Sequence, residues 1–121
     1  MEPTWRCEIH CDVEDGVTVL TVAGRLGSEG AGRVRTELTR LMDAGHQQVL
    51  VDLAGVDYMN SAGLRALETT AGRLREAGGT LALSAVREPV RLVLEMAGLL
   101  ETVAVEETRQ AAILRLRGAG T

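Results

Sequence analysis

The chain is nearly without aromatic side chains. Trp5 and Tyr58 are the whole set, and there is no phenylalanine among 121 residues. Its core has to be assembled from Leu, Val, Ile, Met and Ala, and it lacks the stacked aromatic platforms on which single-stranded nucleic acids bind. It also lacks an excess of positive charge. With 13 Lys and Arg against 17 Asp and Glu, the net charge is -4. That sign opposes phosphate backbones and anionic lipid, so neither nucleic acid nor a membrane surface is an expected partner. No apolar run approaches the roughly 20 residues of a membrane span. Met1-Glu2-Pro3-Thr4 has neither the basic start nor the apolar centre of a secretion signal. The expected location is the cytoplasm. Cysteine is scarce as well: Cys7 and Cys11 are the two present. Four residues apart on a strand, they share a face at roughly 13 Å, too far for a disulfide. Only His10 is adjacent, on the other face, so the pair is expected to be reduced thiols without a metal.

What the sequence does contain is the balance of a globular protein, 45% hydrophobic and 25% charged. The length fits one domain, 1–121, able to bury roughly two thirds of its unfolded surface. Strand-like runs span Arg6 to Val13 and Val17 to Ala23. They are joined through Glu14-Asp15-Gly16, a hairpin signal. The second run is apolar on both faces, as in a central strand covered on both sides. Gly24 to Gly32 reads as a glycine-rich bend. A helix follows with Ala31, Val34, Leu38, Leu41 and Met42 at spacings of three and four, and Gly45 ends it. Val49 to Leu53 reads as a short buried strand. A second helix carries Leu64, Leu67, Ala71 and Leu74 on its inward stripe and ends at Gly78-Gly79. Thr80 to Ala85 is a further strand. Pro89 opens a third helix holding Val90, Val93, Leu94 and Ala97. Val103 to Val105 is a last strand, and Glu106 to Leu116 a closing helix whose leading acids and trailing arginines suit the helix dipole. The order β-β-α-β-α-β-α-β-α implies an α/β fold with a mostly parallel, mixed sheet covered by helices.

Three chemistries are excluded by residue type. Gly27-Ser28-Glu29-Gly30-Ala31-Gly32 has the glycine spacing of a phosphate-binding loop. The Lys and Ser/Thr that would reach phosphate and magnesium are Arg33 and Val34 here, and no dinucleotide fingerprint fits. Ser61 lies outside any Gly-x-Ser-x-Gly elbow. His10 on the first strand and His46 in an exposed turn offer it no base. Asp52 and Asp57 stand five residues apart across a loop, so no carboxylate pair is supported. The chain is not expected to be an enzyme, and no cofactor or metal is implied.

The stretch Val56-Asp57-Tyr58-Met59-Asn60-Ser61-Ala62-Gly63-Leu64 follows a buried strand and opens an apolar-striped helix. Asn60 or Ser61 is suited to cap that helix. The same place suits a phosphate, because free N–H groups and the positive end of the dipole gather there. A phosphoserine adds about -1.5 to -2 charges, and the dipole favours that charge by about 0.3–1 kcal/mol. Phosphorylation would leave the fold intact and act on whatever docks nearby.

Asp57-Tyr58-Met59-Asn60-Ser61-Ala62-Gly63-Leu64 resembles the phosphorylation loop of the STAS domain (sulfate transporter and anti-sigma factor antagonist). Gly24-Arg25-Leu26, Val49-Leu50-Val51-Asp52-Leu53, Gly78-Gly79 and Met96-Ala97-Gly98-Leu99 extend the resemblance over nearly the whole chain. More narrowly, it resembles a free-standing bacterial anti-sigma factor antagonist. The resemblance implies partner switching. The unmodified antagonist binds an anti-sigma factor that is also a serine kinase, a sigma factor is freed, phosphorylation at Ser61 releases the antagonist, and a phosphatase resets it. It implies a partner surface built from the loop Gly24 to Glu29 (Gly24, Leu26, Gly27, Ser28), the loop Asp57 to Gly63 (Tyr58, Met59, Asn60, Ala62, Gly63) and the exposed side of the next helix (Arg65, Thr69, and beyond them Arg73 and Glu76). Asn60 and Gly27 stand where the family commonly carries aspartate. Asn60 still caps, but brings no charge and no base. These two positions motivate an alternative, a constitutive STAS-like subunit of a lipid-transport ABC complex or a stress-signalling scaffold.

Overall fold

The computed structural model describes residues 7–119; Arg6, the expected start of the first strand, lies outside them. The elements are β1 (Cys7–Glu14), β2 (Val17–Leu26), α1 (Ser28–Asp43), β3 (Gln48–Met59), α2 (Ser61–Glu76), β4 (Thr80–Ser84), α3 (Glu88–Met96), a 3-10 turn (Leu99–Glu101), β5 (Ala104–Glu106) and α4 (Arg109–Ala119). The sheet order is β1-β2-β3-β4-β5. The hairpin is antiparallel and every later pairing is parallel.

Sequential order decides the layering. Each parallel crossover steps one strand further in the same direction, and right-handed crossovers then place α1, α2 and α3 on one face. Val34 and Leu38 of α1, Leu67 and Leu74 of α2, and Val90 and Leu94 of α3 share the main core with Leu20, Val22, Val51 and Leu83. The other face is left to α4, whose Ala112, Ile113 and Leu116 cover Val17, Val19, Leu50 and Ala82. β2 is thus apolar on both faces because both are covered.

Several boundaries move from their sequence-based positions. Gly24 to Gly32 is not a bend: β2 continues through Leu26, α1 begins at Ser28, and Gly27 alone connects them. Gly24, at φ +103°, stays paired with Val56, beside one of two register shifts between β2 and β3. Those shifts let β3 run on to Met59, so Asp52 and Asp57 lie on one strand rather than across a loop. The inward stripe of α2 is Gly63, Ala66, Leu67, Thr70, Ala71 and Leu74, with Leu64 half-buried at its margin. Glu106 does not open the last helix. It pairs with Ser84 in β5 and accepts from Arg115 Nη1 at 3.0 Å, while α4 starts at Arg109 behind Thr108, whose Oγ1 accepts from Ala111 N at 3.1 Å. The first turn of α4 holds no acidic residue. His46 is half-buried rather than exposed, its Nδ1 2.6 Å from Thr18 Oγ1.

Candidate functional site

The end of β3 and the start of α2 form one rigid corner. Asn60 has extended backbone (φ -108°, ψ -174°) and caps α2. Its Oδ1 accepts from Ala62 N at 3.0 Å and Gly63 N at 3.2 Å. Of the two cap candidates the structure uses Asn60, which leaves Ser61 as the first helical residue, exposed. Among the described residues no acceptor meets the Ser61 N–H. Removing this cap has a defined cost: Asn60→Ala is expected to destabilise the protein by about 1 kcal/mol, seen as a lower urea midpoint at unchanged slope.

The corner is pinned to the end of β2. Asn60 N donates to Leu26 O at 3.3 Å. A Cβ on Gly63 would lie 2.5 Å from that same carbonyl oxygen and 3.0 Å from Met59 Cγ, so only glycine lets the first turn of α2 approach this closely. A Cβ on Gly27 would lie 3.6 Å from Asn60 Nδ2 and 3.7 Å from Tyr58 Cε2. Positions 27 and 60 are therefore spatial neighbours. Arg25, paired across the ladder with Tyr58, holds its guanidinium 3.9 Å from the ring centroid, a cation–π contact.

The structure brings the two expected segments together but divides their residues into two roles. Leu26 and Met59 are buried in the core, and Gly63 is buried against Leu26. These three, expected as partner contacts, have no side-chain surface to present and instead position the corner. Gly24 is half-buried within β2. The accessible set is Gly27, Ser28, Tyr58, Asn60, Ser61 and Ala62, continued along α2 by Arg65, Thr69, Arg73 and Glu76.

One cluster is not foreshadowed by any sequence motif. Arg109 donates through Nε to Asp52 Oδ2 (2.8 Å), through Nη1 to Glu14 Oε2 (3.0 Å) and through Nη2 to Thr21 Oγ1 (2.7 Å). Asp52 Oδ1 also accepts from Ala54 N at 2.9 Å. The hydrogen bond to Asp52 is the main influence pushing the Arg109 pKa up, so the cation is firmly held. The cluster ties α4 to three strands whose residues are distant in sequence, which is why no local motif marks it. Cys7 and Cys11 are free; burial pushes both thiols up, away from the reactive thiolate. Among the described residues no group of His, Cys, Asp and Glu is arranged to hold a metal, and no helix is long and apolar enough to cross a membrane.

The STAS domain family matches residues 8–112. The chain belongs to that family. BtrV of Bordetella bronchiseptica, which carries a provisional anti-sigma factor antagonist assignment, is 34% identical over 105 residues, covering 87% of this chain and 90% of its own. Among solved structures, an anti-sigma factor antagonist from Mycobacterium paratuberculosis superposes with a TM-score of 0.87 at 22% identity, covering 97% of this chain and 99% of the other. The Bacillus cell fate determinant SpoIIAA in its phosphorylated form gives 0.72 at 17% identity, covering 89% and 98%. At these identities the structural likenesses show the fold: a STAS sheet of five strands with four helices, as the element order implied.

Proposed function

We propose that the chain is an anti-sigma factor antagonist controlled by phosphorylation of Ser61, acting in the cytoplasm as a binding partner and not as a catalyst. The observation that carries this reading is the corner itself: an exposed serine on the first turn of a helix whose cap is supplied by a different residue. The Ser61 hydroxyl is not needed to hold α2 and is open to a kinase. A phosphate there would sit at the positive end of α2. Arg65, one turn on, lies on the same helix face, where residues four apart are neighbours. The modification is therefore tolerated by the fold. It changes the charge and bulk at the centre of a surface shared by Gly27, Ser28, Tyr58 and Ala62, and a docked anti-sigma factor would be displaced by desolvation and steric overlap. The names of the relatives support the anti-sigma factor as partner. Neither histidine serves Ser61 as a base, since His10 faces Asp12 and His46 faces Thr18.

The test is to incubate the protein with its anti-sigma factor and ATP, map the phosphate, and measure complex formation. Phosphate is expected on Ser61, and Ser61→Asp is expected to weaken the complex at least about tenfold, a loss of about 1.4 kcal/mol. Capture of an ABC ATPase instead, with no modification of Ser61, would replace this reading with the constitutive transport or scaffold subunit to which Asn60 and Gly27 point.

A further inference from the structure

Among the described residues the sheet edge formed by β1 is open: β1 pairs with β2 alone, through eight consecutive residue pairs without a bulge. It carries no lysine, no proline and no irregularity, devices that often blunt an edge, and the charges it does carry are all acidic. Asp15 (φ +53°) and Gly16 (φ +80°) form the two-residue turn that makes Glu14 and Val17 a mutually hydrogen-bonded pair. Alternation along an antiparallel ladder then turns the N–H and C=O groups of Glu8, His10 and Asp12 toward β2, and those of Cys7, Ile9, Cys11 and Val13 outward. Arg33 Nη1 donates to the Cys7 carbonyl, which agrees with this direction and closes that end. The outward groups of Ile9, Cys11 and Val13 have no partner among the described residues, and the Val13 side chain is 61% exposed.

Beside this edge runs a groove of about 670 Å³ between β1 and α1. Its floor is Ile9 and Cys11, and its far wall includes Gly32, Arg33, Thr36 and Glu37. A Cβ on Gly32 would meet nothing within 4 Å, so the groove has a notch at that point. The opposite face of β1 presents Glu8, His10, Asp12 and Glu14, of which Glu14 is engaged by Arg109 and Asp12 by its neighbour His10 at 3.1 Å.

Charge selects the occupant. A second copy of the chain would oppose its own acids: Glu8 to Asp12 when paired antiparallel about His10, and Glu8 to Glu14, which Arg109 already holds, when paired about Cys11; like charges directly opposite are destabilising. A segment with lysine or arginine at alternate positions meets Glu8 and Asp12 with the opposite sign. We propose that β1 accepts an extended basic segment of a protein partner as a sixth strand, its backbone pairing with Ile9, Cys11 and Val13. Its cationic side chains lie beside Glu8 and Asp12, and its small apolar ones cover Ile9, Cys11 and the Gly32 notch. Backbone pairing supplies the affinity and the alternating side chains the specificity, as in other strand additions.

The probe is a labelled seven-residue peptide of alternating valine and lysine, compared with its valine–glutamate counterpart on the whole chain by fluorescence anisotropy, with backbone amide NMR to locate it. The lysine peptide is expected to bind at least about tenfold more tightly, with the largest amide changes at Ile9, Cys11 and Val13. Val13→Pro removes an outward N–H and Gly32→Leu fills the notch; each is expected to weaken binding at least about fivefold. Glu8→Lys with Asp12→Lys is expected to reverse the peptide preference. Equal binding of the two peptides, no binding, amide changes confined to other elements, or a dimer in sedimentation that protects these same amides would overturn the proposal. The Gly32→Leu variant, at a helix position where an added Cβ meets nothing within 4 Å, keeps the test open if Val13→Pro fails to fold.

Discussion

Gly63→Ala will destabilise the protein by about 1–3 kcal/mol, while Gly72→Ala in the same helix will stabilise it by about 0.5–1 kcal/mol. Alanine ordinarily improves a helix, because it restricts the unfolded chain and adds no strain. At Gly72 nothing lies within 4 Å of the added methyl group, so the ordinary sign holds. At Gly63 the methyl group would stand 2.5 Å from the Leu26 carbonyl oxygen and 2.9 Å from Leu26 Cγ. One neighbour is main chain and cannot swing aside. Either α2 lifts from the end of β2, stretching the Asn60 N–H bond to Leu26, or β2 is pushed out of its ladder with β3. Both disturb the corner that presents Ser61, so Gly63→Ala is also expected to weaken partner binding in proportion to its loss of stability. Urea melts of the two variants are the check. A stabilised Gly63→Ala would mean that the approach of α2 to β2 is not tight, and the account of the corner would fall with it.

The second large effect is expected at Arg109. Arg109→Met should cost about 2–3 kcal/mol, below the 3–5 kcal/mol typical of breaking a fully buried pair, because the Arg109 side chain is 34% exposed while that of Asp52 is 7% exposed. The loss comes from leaving the Asp52 carboxylate in a site closed to water, with the Ala54 N–H as its remaining donor. Asp52→Asn keeps that bond and removes the charge. The double variant should therefore lose less than the sum of the two single ones, by about 1 kcal/mol or more in a double-mutant cycle. Strict additivity would show that Arg109 acts through packing alone. Because Arg109 opens α4 and touches β1, β2 and β3, Arg109→Met should also speed amide exchange at Leu50 and Ala82 beneath α4, leaving the main core around Leu20 and Leu83 protected.

The corner around Ser61 is largely legible in the sequence, and for local reasons. An Asn-Ser pair ahead of an apolar stripe spaced three and four apart marks a helix start whatever surrounds it, and Asn60 does cap α2. What could not be read was which of the neighbouring residues face outward. Leu26 and Met59 belong to the same short segments as Ser28 and Tyr58, yet they point into the core. That follows from pairing Arg25 with Tyr58 and Leu26 with Met59 across two register shifts, and a shift of one residue exchanges the faces of a strand. The glycines misled for a related reason. Gly24 and Gly30 suggested a bend, whereas Gly30 serves a close contact with Arg25 O, as Gly63 does with Leu26 O, and Gly24 lies in a strand.

The sequence by itself determined the element order, the hairpin at Asp15-Gly16, the parallel α/β class and the helix start at Ser61. Each depends on residues within about one turn or one strand of each other, where turn chemistry and hydrophobic period act without help from the rest of the chain. The tertiary structure decided the single-sided stacking of α1, α2 and α3, the run of β3 through to Met59, the start of α4 at Arg109 and the Arg109 cluster. It also decided which glycines are sterically required and the open edge of β1. These depend on groups brought together from distant parts of the chain, as Glu14 and Arg109 are across 95 positions, and only packing of the sheet against its helices makes them neighbours.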